Sequence, residues 1–179
     1  MSAPEDPPTR RPATLEGMSI RAAGPADAPI LAELNGVVQQ VHHDALPGQF
    51  KAPDPAAVRG FFDEHLARPE TVAFLAEDDR SRPVGYVLAE EIRRPETPLK
   101  LPVAAMYLHH IAVTPGETGQ GWGAALIGAV EDEAALRRLE EIRLDYWSFN
   151  VAAQRFFTRL GYSPYNVCVS KSVSDVPRR

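Results

Sequence analysis

Residues 113–126 read VTPGETGQGWGAAL, and this stretch decides the fold class of the chain. Three of its four glycines, Gly119, Gly121 and Gly123, stand at alternate positions where a predicted buried strand leads into a predicted helix. Glycine lets the backbone approach a ligand and turn its N–H groups inward, and a helix N-terminus adds positive potential. The stretch therefore favours a pyrophosphate-binding loop, with an ordinary strand-to-helix turn as the alternative.

The spacing of these glycines does not fit the two common nucleotide-binding motifs. A Rossmann fingerprint needs G-x-G-x-x-G and an acidic residue about 20 residues later, and a P-loop needs Gly-Lys-Ser/Thr. The loop has G-x-G-x-G, contains no lysine and lies in the second half of the chain. Both motifs are excluded.

The composition predicts one folded domain and excludes several classes of protein. The chain has 179 residues, 44% of them hydrophobic, a formal net charge of -5 and one cysteine, Cys168. This apolar fraction excludes a wholly disordered chain, the acidic balance argues against nucleic-acid binding, and one cysteine forms no internal disulfide. Because no apolar run reaches about 20 residues and no secretory signal is present, we expect a cytoplasmic protein without a membrane partner.

Hydrophobic periodicity predicts a mixed α+β domain over residues 18–173, with flexible tails at 1–17 and 174–179. Strands are predicted at residues 18–23, 71–76, 84–92, 103–113, 141–147 and 162–173. Helices are predicted at 27–41, 54–66, 121–139 and 150–160, and prolines predict loops at 42–55 and 93–102. Apolar residues on both faces of the run 103–113 are typical of a central strand that is covered on both sides.

Two motifs of the chain resemble signatures of the GNAT (Gcn5-related) N-acetyltransferase family. The sequence GQGWGAAL at 119–126, preceded by IAVTP at 111–115, is similar to the acetyl-CoA-binding motif of that family. The sequence NVAAQRFFTRLGY at 150–162 is similar to its second signature. The resemblance covers roughly residues 18–173. It implies a mostly antiparallel sheet of about six strands, helices on both faces, a V-shaped splay between two central parallel strands, and acetyl-CoA-dependent N-acetyl transfer.

The resemblance also implies how acetyl-CoA is held as a cosubstrate. The backbone of residues 111–113 would pair with the pantetheine arm, the N–H groups of residues 119–124 would hold the pyrophosphate, and Asn150 would contact the cofactor. The implied cofactor-binding residues are Ile111, Ala112, Val113, Thr118, Gly119, Gln120, Gly121, Trp122, Gly123, Ala124, Asn150, Ala153, Phe156 and Phe157.

Two positions depart from the family pattern. Thr118 stands where arginine or glutamine is usual, so a hydroxyl replaces one side-chain contact to phosphate. Phe157 stands where a tyrosine commonly acts as general acid, and phenylalanine cannot donate a proton. A leaving thiol with a pKa of about 8.5 departs as thiolate at modest cost, and Tyr146, Ser148 and Tyr162 are alternative acids. The departures favour a second hypothesis, a catalytically silent acyl-CoA-binding module that acts as a sensor or partner.

Acetyl transfer to an amine needs a group that takes a proton from the acceptor ammonium. Alternation along the strand 103–113 predicts Tyr107, His109 and Ile111 on one face and His110 on the other. His109 is therefore the candidate base, Tyr107 a second catalytic candidate, and His110 a structural residue. For His109, a core histidine bonded to the backbone is the alternative.

The acceptor side is predicted in the loop after the first helix and in the hairpin. The substrate-binding candidates there are His42, Phe50 and Glu90. A carboxylate such as Glu90 would attract a cationic amine, with a solvated strand edge as the alternative. The run His42-His43-Asp44 predicts no metal site, because adjacent residues rarely chelate one ion. The acceptor is expected to be an amine of a small molecule or peptide, with polyamine, amino acid, antibiotic and protein amines all open. Homodimerisation is common among domains of the resembled family, and the sequence leaves it open.

Overall fold

The computed structural model describes residues 18–172, and both predicted tails lie outside the described residues. The chain divides into two compact units, Met1–Asp145 and Tyr146–Arg179. The helices and strands of the first unit are β1 (Ser19–Ala22), α1 (Ala28–Ala45), α2 (Pro55–Leu66), β2 (Thr71–Glu77), β3 (Pro83–Arg94), β4 (Val103–Val113), α3 (Trp122–Leu136) and β5 (Ile142–Leu144). In the second unit, the described residues contain α4 (Val151–Arg159).

The first unit is built on a five-stranded mixed sheet in the order β1-β2-β3-β4-β5. β5 runs parallel to β4 because α3 crosses over between them, and the other pairings are antiparallel. The predicted fold class is confirmed, but the described residues hold five strands rather than about six. Residues 162–172 form no strand. Pro164 removes a ladder donor there, and Val167 and Val169 are exposed instead of packed on a sheet.

Helices cover both faces of this sheet. Tyr86 and Leu88 of β3 belong to a buried cluster with residues of α1 and α2. Val87 and Ala89 alternate with them along the strand, so they lie on the opposite face, and they are also fully buried. α3 packs against β2, β3 and β4 and covers that second face. The prediction that the run 103–113 forms a central strand is thereby confirmed.

A buried polar pair joins α1 to the sheet. Asn35 Nδ2 donates a hydrogen bond to Tyr86 Oη at 2.9 Å, and both side chains are buried. Burial raises the pKa of the Tyr86 phenol well above its usual range. Because the Asn35 amide donates to the Tyr86 hydroxyl, both buried groups have a hydrogen-bond partner, and the pair fixes α1 on β3.

The ends of α1 and α2 follow from local chemistry. The Asp54 carboxylate accepts a hydrogen bond from the Ala57 N–H at 3.1 Å and caps the N-terminus of α2. α1 extends to Ala45, so the loop after it begins later than predicted. Leu46 precedes Pro47, and a residue before proline is disfavoured in helical geometry, which ends α1 at that point.

Candidate functional site

A glycine loop joins β4 to α3. After a short 3-10 turn, Pro115–Glu117, the backbone at Gly119 and Gly121 is left-handed, with φ of 81° and 97°. Residues with a Cβ rarely adopt these angles, which explains two of the glycines in the sequence. A Cβ on Gly119 would meet no atom within 4 Å, so this glycine is needed for its conformation and the space beside it is open.

The first turn of α3 presents backbone N–H groups that the helix does not bond. The hydrogen bond from the Ala125 N–H to the Gly121 carbonyl, at 3.0 Å, lies at the start of the helix. The N–H groups of Trp122, Gly123 and Ala124 precede it and have no intrahelical acceptor. Because the helix dipole places positive potential at the same end, an anionic group is stabilised there.

The loop side chains brace the loop itself. Thr118 Oγ1 donates to the Pro115 carbonyl at 2.9 Å. Gln120 Nε2 donates to Glu117 Oε2 at 3.0 Å. The Trp122 side chain is only 4% exposed, so this residue offers a ligand its backbone N–H alone. The anion-binding capacity of the loop therefore comes from the main chain.

β4 extends past its parallel neighbour beside this loop. β5 pairs with β4 at Met106, Tyr107 and Leu108, whereas β4 continues to Val113. The stretch from His109 onward is bonded to β3 on one side and runs beyond the end of the β5 ladder on the other. This stretch includes the residues predicted to pair with the pantetheine arm.

A β-bulge lies on β4 at the candidate base. Leu88 of β3 pairs with His110, and the next residue, Ala89, pairs with Leu108. His109 is therefore an extra residue in the ladder. Such an insertion shifts the alternation of side chains between the two faces by one residue.

The bulge makes the predicted alternation along β4 wrong. Tyr107 pairs with Glu90, on the face that α1 and α2 cover. Ile111 pairs with Val87 on the opposite face, although we predicted Tyr107 and Ile111 on the same face. The His109 side chain lies on the Tyr107 side, where the centres of the two rings are 5.1 Å apart.

His109 and Glu90 form a hydrogen-bonded pair across β3 and β4. His109 Nε2 lies 2.9 Å from Glu90 Oε2, and the two side chains are 29% and 23% exposed. The His65 ring of α2 lies 6.3 Å from the His109 ring. The Tyr107 hydroxyl donates to Asp145 Oδ1. A carboxylate, an imidazole and a phenol are thus gathered on one partly exposed surface, and His109 is bonded to a side chain rather than to the backbone.

Sequence reasoning missed His65 and Asp145 as neighbours of this pair. His65 lies on α2, and its Nδ1 is 2.7 Å from the Phe61 carbonyl. The contacts of both residues with the β4 side chains depend on how α2 and the residue after β5 pack in the folded chain. No local sequence pattern signals such packing.

His110, next to the candidate base, is enclosed by aromatic rings. Its ring lies 5.6 Å from that of Phe61 and 6.2 Å from that of Phe62. Its Nδ1 is buried and has no hydrogen-bond partner among the residues that the structure describes. Burial, helped by the neighbouring histidines, lowers the pKa of His110 to about 4. A neutral, enclosed imidazole fits the structural role predicted for it.

The two acceptor-side candidates near α1 lie together. The rings of His42 and Phe50 are 4.8 Å apart, and His43 Nδ1 lies 2.9 Å from the Phe50 carbonyl. Burial lowers the pKa of His42. The third acceptor-side candidate, Glu90, is instead bonded to His109. The candidates therefore form two local groups, one at the end of α1 and one on β3 and β4.

In the second unit, the motif residues stabilise α4. Asn150 Oδ1 accepts a hydrogen bond from the Ala153 N–H at 3.0 Å and caps the helix. Phe157 is 4% exposed, and its ring lies 6.3 Å from Tyr146 and 5.6 Å from Tyr162. Phe157 is thus a packing residue within an aromatic group that includes two of the tyrosines considered as alternative acids.

A groove of about 420 Å³ lies at Glu90, one member of the His109–Glu90 pair. It is lined by Glu70, Glu90, Glu91, Ile92, Arg93 and Arg94. Within residues 18–172, no three histidine, cysteine or acidic side chains are arranged to hold a metal ion. None of the helices in that range has the length and apolar character required to cross a bilayer.

The sequence model of the acetyltransferase (GNAT) family matches residues 37–162. This match spans more than half of the chain, and the protein therefore belongs to the GNAT family. No curated protein matches the chain significantly.

Several solved structures share the fold. A tetramutant of the BH1408 protein from Bacillus halodurans is 21% identical, with a TM-score of 0.82 over 87% of this chain and 99% of that one. The aminoglycoside N-acetyltransferase AAC(6')-Iy, bound to the bisubstrate analogue CoA-S-monomethyl-acetylneamine, is 21% identical, with a TM-score of 0.66 over 87% and 97%. A ribosomal-protein-alanine N-acetyltransferase from Brucella melitensis is 18% identical, with a TM-score of 0.64 over 88% and 99%.

Proposed function

We propose that this protein is an acetyl-CoA-dependent N-acetyltransferase that acetylates a primary amine of a small molecule or peptide. The observation that carries the proposal is the left-handed pair Gly119 and Gly121 at the start of α3. With the N–H groups that follow, this geometry suits a pyrophosphate, which needs several convergent donors and positive potential. Membership of the GNAT family supplies acetyl transfer as the reaction class.

The main chain of the first unit provides the principal contacts in this proposal. The N–H groups of residues 119–124 bind the pyrophosphate, and the backbone of residues 111–113 pairs with the pantetheine arm as an added strand would. The extension of β4 beyond the β5 ladder supports that pairing. Contacts from Asn150, Ala153 and Phe156 stay predictions of the family resemblance. Acetyl-CoA supplies an acetyl thioester that is activated for attack.

His109 removes the proton that blocks the acceptor nitrogen. An ammonium group has a pKa of about 10.4, so it is mostly protonated near neutral pH and cannot attack. After His109 takes one proton, the nitrogen forms the new C–N bond while the C–S bond breaks, and sulfur leaves with the electron pair. The nitrogen, which is positively charged once the C–N bond has formed, gives its second proton to the leaving thiolate or to water. Because a thiol has a pKa of about 8.5, the sulfur leaves as thiolate without an acid at Phe157.

The charge around the His109–Glu90 pair supports an amine acceptor. The groove at Glu90 is lined by three glutamates and two arginines, so its formal charge is negative, which favours a cation. The structural relatives are named for amine acceptors of different size, an aminoglycoside in one case and the alanine of a ribosomal protein in the other. An amino group is the feature that these acceptors share, and a primary amine is the class proposed for this protein.

Calorimetry with CoA and a thiol-release assay over a panel of amines test the proposal. The wild-type protein should bind CoA and release thiol with at least one class of amine. In Gly121→Ala, left-handed backbone costs about 1–2 kcal/mol, so CoA affinity should fall about tenfold. Gly128→Ala is the matched control, because a Cβ there meets no atom within 4 Å in α3, and its affinity should not change. No CoA binding by the wild type, or equal affinity in both variants, would contradict the proposal.

A catalytically silent acyl-CoA-binding module is the second candidate. Phe157 is enclosed by aromatic rings and has no ionisable proton to donate to the leaving group. The Thr118 hydroxyl donates a hydrogen bond to the Pro115 carbonyl within the loop. Tight CoA binding without thiol release across the whole amine panel would favour this function. Thiol release that occurs with any amine and is lost in His109→Ala would exclude a catalytically silent module.

A further inference from the structure

The contact between His109 and Glu90 assigns Glu90 a role different from the one predicted from sequence. Glu90 was a candidate for binding the acceptor, but its carboxylate is hydrogen-bonded to the imidazole at 2.9 Å. We propose that Glu90 is a positioning residue that holds the His109 ring in the tautomer and orientation of a general base. This inference rests on the proposed acetyl transfer.

The pairing of β3 with β4 places the two side chains within reach of each other. In the ladder, Glu90 lies opposite Tyr107, and His109 is two residues further along β4. Diagonal neighbours in a regular sheet have Cβ atoms about 7–8 Å apart, within reach of long side chains. The extra residue in β4 leaves His109 on the same side as Glu90 and Tyr107, rather than with Ile111 on the opposite face.

The hydrogen bond selects the atom that accepts the proton. An ionised carboxylate is an acceptor only, so His109 Nε2 carries the hydrogen that Glu90 Oε2 accepts. The lone pair of the neutral ring is then on Nδ1, which takes the proton from the acceptor ammonium. The ring becomes an imidazolium beside a carboxylate, which stabilises the positive charge without itself taking the proton.

Neighbouring side chains restrict the ring further. The Tyr107 ring lies 5.1 Å from the His109 ring at an interplanar angle of 64°, and Tyr107 is itself held by Asp145. The His65 ring lies on α2 at 6.3 Å. Glu91 faces the other way in the sheet and is engaged by Arg137 at 3.3 Å. Glu90 is thus the carboxylate that contacts the imidazole.

Steady-state kinetics of Glu90→Gln test the role against a matched control. The amide can still accept a hydrogen bond but no longer favours the charged ring. We expect kcat to fall about 10- to 100-fold, which is at or below the lower end of the roughly 100- to 10,000-fold that general-base catalysis contributes, because Glu90 positions the base and does not replace it. KM should change little. Glu33→Gln removes the same charge from an exposed position of α1 and should leave kcat and KM unchanged.

A double-mutant cycle separates positioning from acceptor binding. If Glu90 acts through His109, Glu90→Gln should have no further effect on kcat in a His109→Ala background. If Glu90 binds the acceptor, Glu90→Gln alone raises KM. The double variant then has a lower kcat/KM than His109→Ala, by the same factor that separates Glu90→Gln from the wild type. That second result would overturn the inference.

The tautomer of His109 gives a readout that does not depend on turnover. Imidazole ¹⁵N spectra of the full chain should show hydrogen on Nε2 in the wild type and a mixture of tautomers in Glu90→Gln. A mixture in the wild type, or no change on substitution, would refute the positioning role even if acetyl transfer is found. The spectra could instead show the expected tautomer in a protein that neither binds CoA nor releases thiol. That combination would refute the proposed function and, with it, the catalytic role of the pair.

Discussion

Lowering the pH from about 7 to about 5 should destabilise the protein because His110 is buried without a partner for Nδ1 among the described residues. His110→Leu, which removes the ionisable ring and roughly conserves its volume, should abolish most of this effect. The substitution places an apolar side chain against Phe61 and Phe62, whose rings enclose the site. It therefore removes the titration without exposing the core.

The size of the effect follows from the lowered pKa of His110. The ordinary value is 6.5 and the value in the folded protein is about 4. Between these values the unfolded chain binds more protons, so stability that is present above pH 6.5 is lost as the pH falls toward 4. At about 1.4 kcal/mol per pH unit, the full loss is roughly 3 kcal/mol, of which about 2 kcal/mol falls between pH 7 and pH 5.

Urea unfolding, followed by the fluorescence of the buried Trp122, measures the free energy of unfolding across this pH range. Carboxylates such as Asp27, whose pKa is lowered by its hydrogen bond with Arg21, titrate below this pH range. Met106→Leu, an apolar exchange at a fully buried position of the same strand, is the control and should keep the wild-type slope. Equal slopes for His110→Leu and the wild type would refute the reasoning.

Two further predictions concern stability. Tyr86→Phe should lower the free energy of unfolding by about 1–3 kcal/mol because Asn35 Nδ2 loses its buried acceptor, and adding Asn35→Leu should recover most of that loss. Thermal unfolding of both variants measures these changes, and a double variant that is no more stable than Tyr86→Phe would contradict the prediction. Asp54→Ala should cost about 0.5–2 kcal/mol by removing the cap of α2, whereas Asp54→Asn retains an oxygen for the Ala57 N–H and should cost less. Equal losses in the two Asp54 variants would argue against the cap.

Much of the fold could be predicted because its signals are local. Asp54 and Pro55 start α2 through a capping oxygen and a fixed φ, and both act within one turn of chain. The glycine loop was predictable for the same reason, since left-handed backbone at Gly119 and Gly121 restricts the residue type. The strand predicted at 162–173 was wrong within the described residues, because alternating apolar residues need a neighbouring strand to pair with and Pro164 interrupts the segment.

The arrangement around the candidate base could not be predicted, because it depends on register. A bulge arises when the lengths of β3 and β4 between two pairings differ by one residue, and neither strand carries a signal of that difference alone. The prediction that Tyr107 and Ile111 share a face was wrong for this reason. The bond between Glu90 and His109 joins residues on different strands, so it became visible only in the folded chain.

Amide chemical-shift mapping with CoA tests most directly whether main-chain N–H groups of residues 119–124 bind the pyrophosphate. The largest shifts on titration are expected at these amides. Those of Gly119 and Gly121, where the backbone is left-handed, should be among them. Shifts confined to another surface, such as the groove beside Glu90, or the absence of any shift, would contradict this expectation.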